Sequence, residues 1–270
     1  MDVSLKRRVS ESRRLLENPY AYIEYLESSK DEKRAGGPEP AVARRFSDDE
    51  IEAKATSLLT KLWVDRETLW SGNPPPDAIA IRDPFIGLRA VGYDTIEKAG
   101  MQYRTDSGAI EVAGVIDQSS KCVQISLQFP PHVRLFTVAH ELGHAVLHPG
   151  MDGLHRDRPQ DGTEDSRDPV EREADKFAAC FLMPVKLVRA QFVARFGAPN
   201  FALSDESAFA LAGKSLDAVR TKIRGRRDCA RLLAGAQRFG GRHFVSLAEY
   251  FGVSVGAMAI RIEELDLVCL

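Results

Sequence analysis

The sequence predicts an α+β protein in which a small antiparallel sheet packs against a helix. Apolar and polar residues alternate from Val123 to Gln128, as in a half-buried strand. The run 117–120 is typical of a turn that joins this strand to a second one over 110–116. Apolar residues then recur at helical spacing over 135–146 and again over 170–182. We therefore expect a strand hairpin followed by two amphipathic helices.

The beginning of the chain is predicted to be helical as well. Residues 3–30 carry an interrupted apolar stripe at helical spacing, and the Gly- and Pro-rich run 35–40 is typical of a linker. Residues 47–50, Ser-Asp-Asp-Glu, are typical of a helix start, and apolar residues follow from Ile51 to Leu62. The sequence thus predicts an N-terminal helical extension that a linker separates from the rest.

Composition indicates a soluble protein of the cytoplasm. The chain has 270 residues and a formal net charge of −2, which argues against a protein that binds nucleic acid over much of its surface. Its four cysteines are widely spaced and form no C-x-x-C pair, as expected in a reducing compartment. The first ten residues are charged and lack the apolar core of a signal peptide, and no apolar run is long enough to span a bilayer.

The most informative run is His140-Glu141-Leu142-Gly143-His144, an H-E-x-x-H pattern inside the first amphipathic segment. Imidazoles four residues apart lie one above the other on a helix face, so both can bind one metal ion. Glu141 is turned about 100° away, where it can act as general base toward a water that the metal activates. The pattern predicts a zinc-dependent hydrolase that cleaves peptide bonds. The alternative is a surface helix with two histidines and a solvated glutamate.

A third metal ligand is needed to define the site. The metzincin class requires a third histidine six residues after the second, but position 150 is glycine, which excludes that class. His148 follows His144 by four residues, yet three histidines along one straight helix cannot easily surround one ion. We therefore interpret His148 as a residue at the helix end or behind the ligands.

The second amphipathic helix supplies a better candidate for the third ligand. At about 100° per residue, Glu171 falls within the buried arc of this helix, whereas Glu173 falls on the opposite margin. A buried carboxylate is costly unless it is paired or binds a metal. Asp175 lies one turn beyond Glu171 and suits an acceptor for the outer N–H of a ligand histidine. The alternative is a capping box, in which Glu171 bonds back to a cap at Asp168.

Three separated runs resemble the ImmA/IrrE family of metallopeptidases. They are 136–148, which contains the H-E-x-x-H pattern, 171–184, which contains Glu171 and Asp175, and 247–254 near the C-terminus. The resemblance covers roughly 48–200 and 244–268. The first 47 residues and the stretch 198–243 depart from the family pattern.

The resemblance implies a zincin-like fold with a His140, His144 and Glu171 site for Zn²⁺, a gluzincin-like ligand set. It also implies an intracellular peptidase that cleaves or inactivates a transcriptional repressor or a similar regulator, typically in a stress response or beside a mobile element. We expect an N-terminal extension and linker over 1–47, a zincin-like metallopeptidase domain over 48–197 and a C-terminal helical region over 198–270.

The C-terminal region allows a different function. Residues 214–242 carry nine Lys or Arg against two Asp, which could bind an acidic partner or a phosphate backbone. Residues 247–264 have the spacing of a helix-turn-helix. The second helix is apolar and then acidic, which favours packing against the rest of the protein over recognition of DNA bases. The alternative to a peptidase is therefore a non-catalytic zinc protein that binds a repressor or DNA. A toxin-like peptidase that acts on a cellular target is a third hypothesis.

Overall fold

The computed structural model describes residues 45–105, 108–150, 154–156, 169–221 and 223–269. The predicted N-terminal helix, the linker and Asp168 lie outside the described residues. The described chain forms two compact units, 45–182 and 183–269. This division comes before the predicted boundary at 197, and the predicted domain limits stay predictions.

The first unit combines helices with a small sheet, which confirms the α+β class. Its helices and strands are α1 (Asp48–Val64), α2 (Arg66–Leu69), α3 (Pro84–Ala90), β1 (Asp94–Lys98), β2 (Gln102–Thr105), β3 (Gly108–Glu111), β4 (Gly114–Asp117), β5 (Cys122–Ser126), α4 (Pro131–Leu147), β6 (Leu154–Arg156) and α5 (Pro169–Leu182).

Helix α1 begins where the sequence predicts. The Ser47 side chain accepts a hydrogen bond from the Glu50 N–H, and the Glu50 carboxylate accepts one from the Ser47 N–H, which together form a capping box. The buried residues Ile51, Ala55, Leu58 and Leu62 repeat at helical spacing. This apolar face of α1 packs against α5.

The main sheet has the strand order β1-β5-β4-β6. The predicted strand over 110–116 is divided, because β3 ends at Glu111 and pairs with β2, whereas β4 begins at Gly114. Strands β4 and β5 form the predicted antiparallel hairpin, with Gly114 opposite Ile125 and Asp117 opposite Cys122. The prediction of an antiparallel sheet is wrong for β1, which runs parallel to β5. Three strands intervene between β1 and β5, and this long connection allows parallel pairing. The hairpin β4–β5 packs against α4, with Ile116 fully buried.

The turn between β4 and β5 is held by one carboxylate. Asp117 Oδ1 accepts hydrogen bonds from the backbone N–H groups of Ser119 and Ser120 and from the Ser119 hydroxyl. These hydrogen bonds lower the pKa of the partly exposed Asp117 carboxyl from 3.8 to about 2.

We expect the turn to lose its stabilisation only in strong acid. Because the pKa of Asp117 is lower in the folded state, its contribution is present above about 4 and is lost as the pH falls toward about 2. A carboxyl-detected NMR titration should show a midpoint near 2 for Asp117 and a higher midpoint in Ser119→Ala. An unchanged midpoint in that variant would contradict the assignment to these hydrogen bonds.

The second unit consists of short helices and two-residue strands. They are α6 (Val185–Phe196), β7 (Phe201–Ala202), α7 (Asp205–Ala212), α8 (Leu216–Arg220), α9 (Arg226–Gly235), β8 (Arg238–Phe239), β9 (Arg242–His243), α10 (Leu247–Phe251), α11 (Val255–Glu264) and β10 (Val268–Cys269).

The last two helices lie within the run 247–264 that the sequence predicts to be a pair of helices. Gly252, with a left-handed φ of 68°, ends α10, and the Ser254 side chain caps α11. Helix α11 packs against α9 and buries Ala257, Met258 and Ile262. Its apolar residues are therefore used in packing within this unit, while its likeness to a helix-turn-helix stays a prediction.

Within the described ranges, no single helix is both long and apolar enough to cross a membrane. The bent pair α5 and α6 passes the same test together, by length and composition only.

Candidate metal centre

Three side chains from two helices converge at one point in the first unit. His140 and His144 lie on α4, and their Nε2 atoms are 3.0 Å apart. Glu171 lies in the first turn of α5, with its Oε2 atom 3.2 Å from His140 Nε2 and 3.5 Å from His144 Nε2. The structure thus brings together all three residues that the sequence offers as metal ligands.

The triangle of donor atoms has the size that a zinc ion needs. Zinc binds imidazole nitrogen and carboxylate oxygen at about 2.0–2.2 Å, so neighbouring donors of a tetrahedral site lie about 3.3 Å apart. The three edges here, 3.0, 3.2 and 3.5 Å, scatter around that value. Two imidazoles and one carboxylate also form a ligand set of catalytic zinc sites, in which a fourth position stays open for water or substrate. The residues therefore fit a zinc ion.

Glu141 lies on the same helix, between the two histidines, and is fully buried. Its carboxylate is packed against the start of β4, since a Cβ at Gly114 would lie 2.9 Å from Glu141 Oε1 and 2.5 Å from the methyl group of Thr137. The absence of a side chain at Gly114 makes room for this carboxylate. Close packing therefore restricts the position of the carboxylate.

Asp175 lies behind His140, one turn along α5 from Glu171. Its Oδ1 atom is 2.9 Å from His140 Nδ1, the ring nitrogen that faces away from the candidate metal position. A carboxylate in this place favours the tautomer with the proton on Nδ1, which leaves Nε2 as a ligand and raises its basicity. The contact is the one that the sequence predicts for Asp175.

The sequence places Glu173 on the margin opposite the buried arc of α5, but the structure buries it as well. Glu173 is only 8% exposed, and its Oε2 atom lies 2.9 Å from His148 Nε2. Its Oε1 atom accepts a hydrogen bond from the backbone N–H of Phe46, just before α1. Helix α5 packs against α4 and also against α1, so its buried surface is wider than the single apolar stripe visible in the sequence.

Two helices can hold such a site only if they approach closely, and Gly143 permits this approach. A Cβ at Gly143 would lie 2.9 Å from the carbonyl oxygen of Ala174 and 3.0 Å from its Cα atom. Both are backbone atoms, which cannot move aside without shifting the helix. Gly143 and Gly114 both shape the site, although the sequence alone assigns neither of them a role.

We expect Gly143→Ala to destabilise the protein. Alanine is the better helix former by about 1 kcal/mol, but overpacking between two helix backbones costs about 1–3 kcal/mol, so the net effect is a loss. Gly235→Ala in α9 is the matched control, since the new Cβ would meet only Val255 side-chain atoms, at 3.6 Å or more. Denaturant unfolding measures both variants. A Gly143→Ala protein more stable than the wild type would contradict this close contact.

Comparison with known proteins shows that the part of the chain around this site resembles a known family. Residues 96–196 match the family model of the IrrE N-terminal-like domain, peptidase M78. The matched stretch runs from β1 through α6 and includes the H-E-x-x-H run, Glu171 and Asp175. No curated protein matches the chain. Residues 96–196 are therefore similar to the IrrE N-terminal-like domains of the peptidase M78 family, in agreement with the resemblance to ImmA/IrrE proteins.

Proposed function

We propose that this protein is a zinc-dependent endopeptidase that cleaves a protein regulator, such as a transcriptional repressor or an antitoxin. The observation that carries the proposal is the triangle of His140 Nε2, His144 Nε2 and Glu171 Oε2, with Glu141 between the two histidines. A purely structural zinc site has no need of a general base at that position. The zincin-like fold that the family implies is part of the same proposal.

Each residue has a separate task in the proposed reaction. His140, His144 and Glu171 would hold the zinc ion, and Asp175 orients the ring of His140. A zinc ion held there would act as a Lewis acid toward the peptide carbonyl and would lower the pKa of water into the neutral range. Glu141 takes a proton from the attacking water as the new C–O bond forms. It then gives this proton to the leaving nitrogen as the C–N bond breaks.

The peptidase activity can be tested without knowing the substrate. The purified full-length chain, loaded with zinc, is incubated with a library of proteome-derived peptides, and new termini are identified by mass spectrometry. We expect cleavage that disappears on treatment with a zinc chelator and returns when zinc is added back. Failure of the zinc-loaded protein to cut any peptide would contradict the peptidase proposal.

The substrate class needs a second experiment. The resemblance to ImmA/IrrE proteins favours a regulator, and any repressor-like protein encoded next to this chain would be the direct candidate. We expect the zinc-loaded protein to cut that neighbour at one or a few sites. Cleavage of library peptides without cleavage of the neighbour would leave the enzyme class standing and overturn the assignment of the substrate.

The non-catalytic alternative relies on the basic stretch 214–242, and part of its charge is already neutralised. Arg226 forms an ion pair with Asp266 at 2.8 Å, and Arg227 forms another with Glu263. Arg242 donates hydrogen bonds to the backbone carbonyls of Ala194 and Arg195. Salt-dependent binding of duplex DNA by the purified protein would favour this alternative. We expect no such binding at physiological salt.

A further inference from the structure

A second histidine–carboxylate pair lies directly behind the candidate metal centre. His148 caps the C-terminal end of α4, one helical turn after His144. Its Nε2 atom is 2.9 Å from Glu173 Oε2, and its Nδ1 atom is 3.3 Å from His144 Nδ1. Both side chains are largely shielded from solvent, with exposed fractions of 3% and 10%. The three groups form a continuous row from His144 to Glu173.

The positions of the hydrogens along this row follow from chemistry. If His144 binds a metal through Nε2, its ring proton must be on Nδ1. His148 Nδ1 must then be the acceptor, which puts the proton of a neutral His148 on Nε2. That N–H points at the Glu173 carboxylate, which can only accept. This arrangement of protons on neutral rings satisfies both contacts of the row and leaves His144 Nε2 without a proton, available as a metal ligand.

A carboxylate also contacts the outer nitrogen of His140, but directly and without a bridging ring. Asp175 Oδ1 contacts His140 Nδ1 directly at 2.9 Å, whereas Glu173 reaches His144 only through His148. Both carboxylates come from α5, two residues apart. Because residues four apart stack along a helix, the ring of His148 falls next to the outer nitrogen of His144 and bridges the distance.

Phe46 contacts both Glu173 and His148. The backbone N–H of Phe46 donates to Glu173 Oε1 at 3.1 Å, so the two carboxylate oxygens have separate partners. The edge of the Phe46 ring packs against the His148 ring, with 6.3 Å between the centroids. The residue that leads into α1 therefore restricts both members of the pair.

The geometry points to His148 and Glu173 as positioning residues that fix the tautomer and the ring orientation of His144. This inference rests on the proposed metal site, in which His144 is a ligand. It extends that proposal because it assigns a role to a histidine and a carboxylate that do not reach the three ligand atoms. A helix cap and a contact with α1 would account for their burial, but neither requires a particular proton position on His144.

The tautomer can be tested without metal. Long-range proton–nitrogen NMR spectra of the metal-free full-length protein report which ring nitrogen of His144 carries the proton. We expect Nδ1 in the wild type and a mixture of both tautomers in Glu173→Gln, since the amide of glutamine can donate to His148 as well as accept. A proton on Nε2 of His144 in the wild type would overturn the inference, whether or not the protein proves to be a peptidase.

Zinc affinity gives the second readout. Competition with a chelator should show zinc binding weakened about 10- to 100-fold in His148→Phe, the range found when an outer partner of a ligand histidine is lost. His148→Asn should recover much of the affinity, because its side-chain oxygen can accept from His144 Nδ1–H. Lys176→Met is the matched control, since it removes the α1–α5 ion pair with Asp48 and leaves the row intact.

The outcomes separate a positioning role from a structural one. If His148→Phe and Lys176→Met lower the unfolding temperature but bind zinc as tightly as the wild type, the pair is structural and the inference is wrong. If the wild type fails to bind zinc at all, the proposed function falls and the inference falls with it. Loss of affinity in His148→Phe, with recovery in His148→Asn, supports the inference even where no substrate has been found.

Discussion

Glu141→Gln is expected to leave zinc binding intact and to lower the cleavage rate by about 10²- to 10⁴-fold, the usual contribution of a general acid–base group. Glutamine has the shape of glutamate, so it fits the space beside Gly114 that the carboxylate occupies. Its amide cannot take a proton from water at neutral pH. Metal content by mass spectrometry and the initial rate of peptide cleavage, measured on the same preparation, test both halves of the prediction.

Two further variants make this result interpretable. Glu249→Gln removes an exposed helical carboxylate far along the chain and should leave both quantities unchanged. His140→Ala should lose the metal and the activity together. A Glu141→Gln protein that cleaves at the wild-type rate would rule out the proposed role of Glu141, and one that loses zinc would show that the carboxylate is needed to build the site.

The centre of the site could be predicted because its spacing is local. Histidines four residues apart on one helix must share a face, and this holds whatever the rest of the chain does. Glu171 and Asp175 follow from the same rule on the second helix. The structure places both carboxylates against His140.

The site residues that the sequence alone does not reveal depend on tertiary packing. Glu173 is buried because α1 covers a second side of α5. The spacing of apolar residues within α5 does not show this second contact. Gly143 inside a helix indicates only a weak helix former, unless one knows that the backbone of Ala174 lies against it. His148 gains its partner only once α4 and α5 are side by side.

The pairing of β1 was missed for a related reason. All five residues of β1 are exposed, and three of them are charged, so the strand lacks the apolar alternation that marks a sheet face. Its partner β5 is separated from it by the hairpin β2–β3 and by β4. A parallel pair over such a distance depends on the whole fold, whereas the hairpin β4–β5 depends on one tight turn that the sequence displays.

Glu171→Gln is expected to abolish tight zinc binding while leaving the fold intact. Loss of a residue behind a ligand weakens metal binding about 10- to 100-fold, so loss of a charged ligand itself should exceed about 100-fold. The cost to folding is small, because removing one acidic charge from the first turn of a helix costs about 0.3–1 kcal/mol. Glu206→Gln removes a comparable first-turn charge from α7 and serves as the control.

Zinc-dependent unfolding distinguishes the two variants. A ligand that binds only the folded state at 100 times its dissociation constant raises the unfolding free energy by about 2.7 kcal/mol. We expect the wild type and Glu206→Gln to gain this stabilisation on addition of zinc, and Glu171→Gln to gain almost none. If Glu171→Gln were stabilised as strongly as the wild type, zinc would be held by other residues. Glu171, the ligand that α5 contributes beside the two histidines of α4, would then have no role in zinc binding.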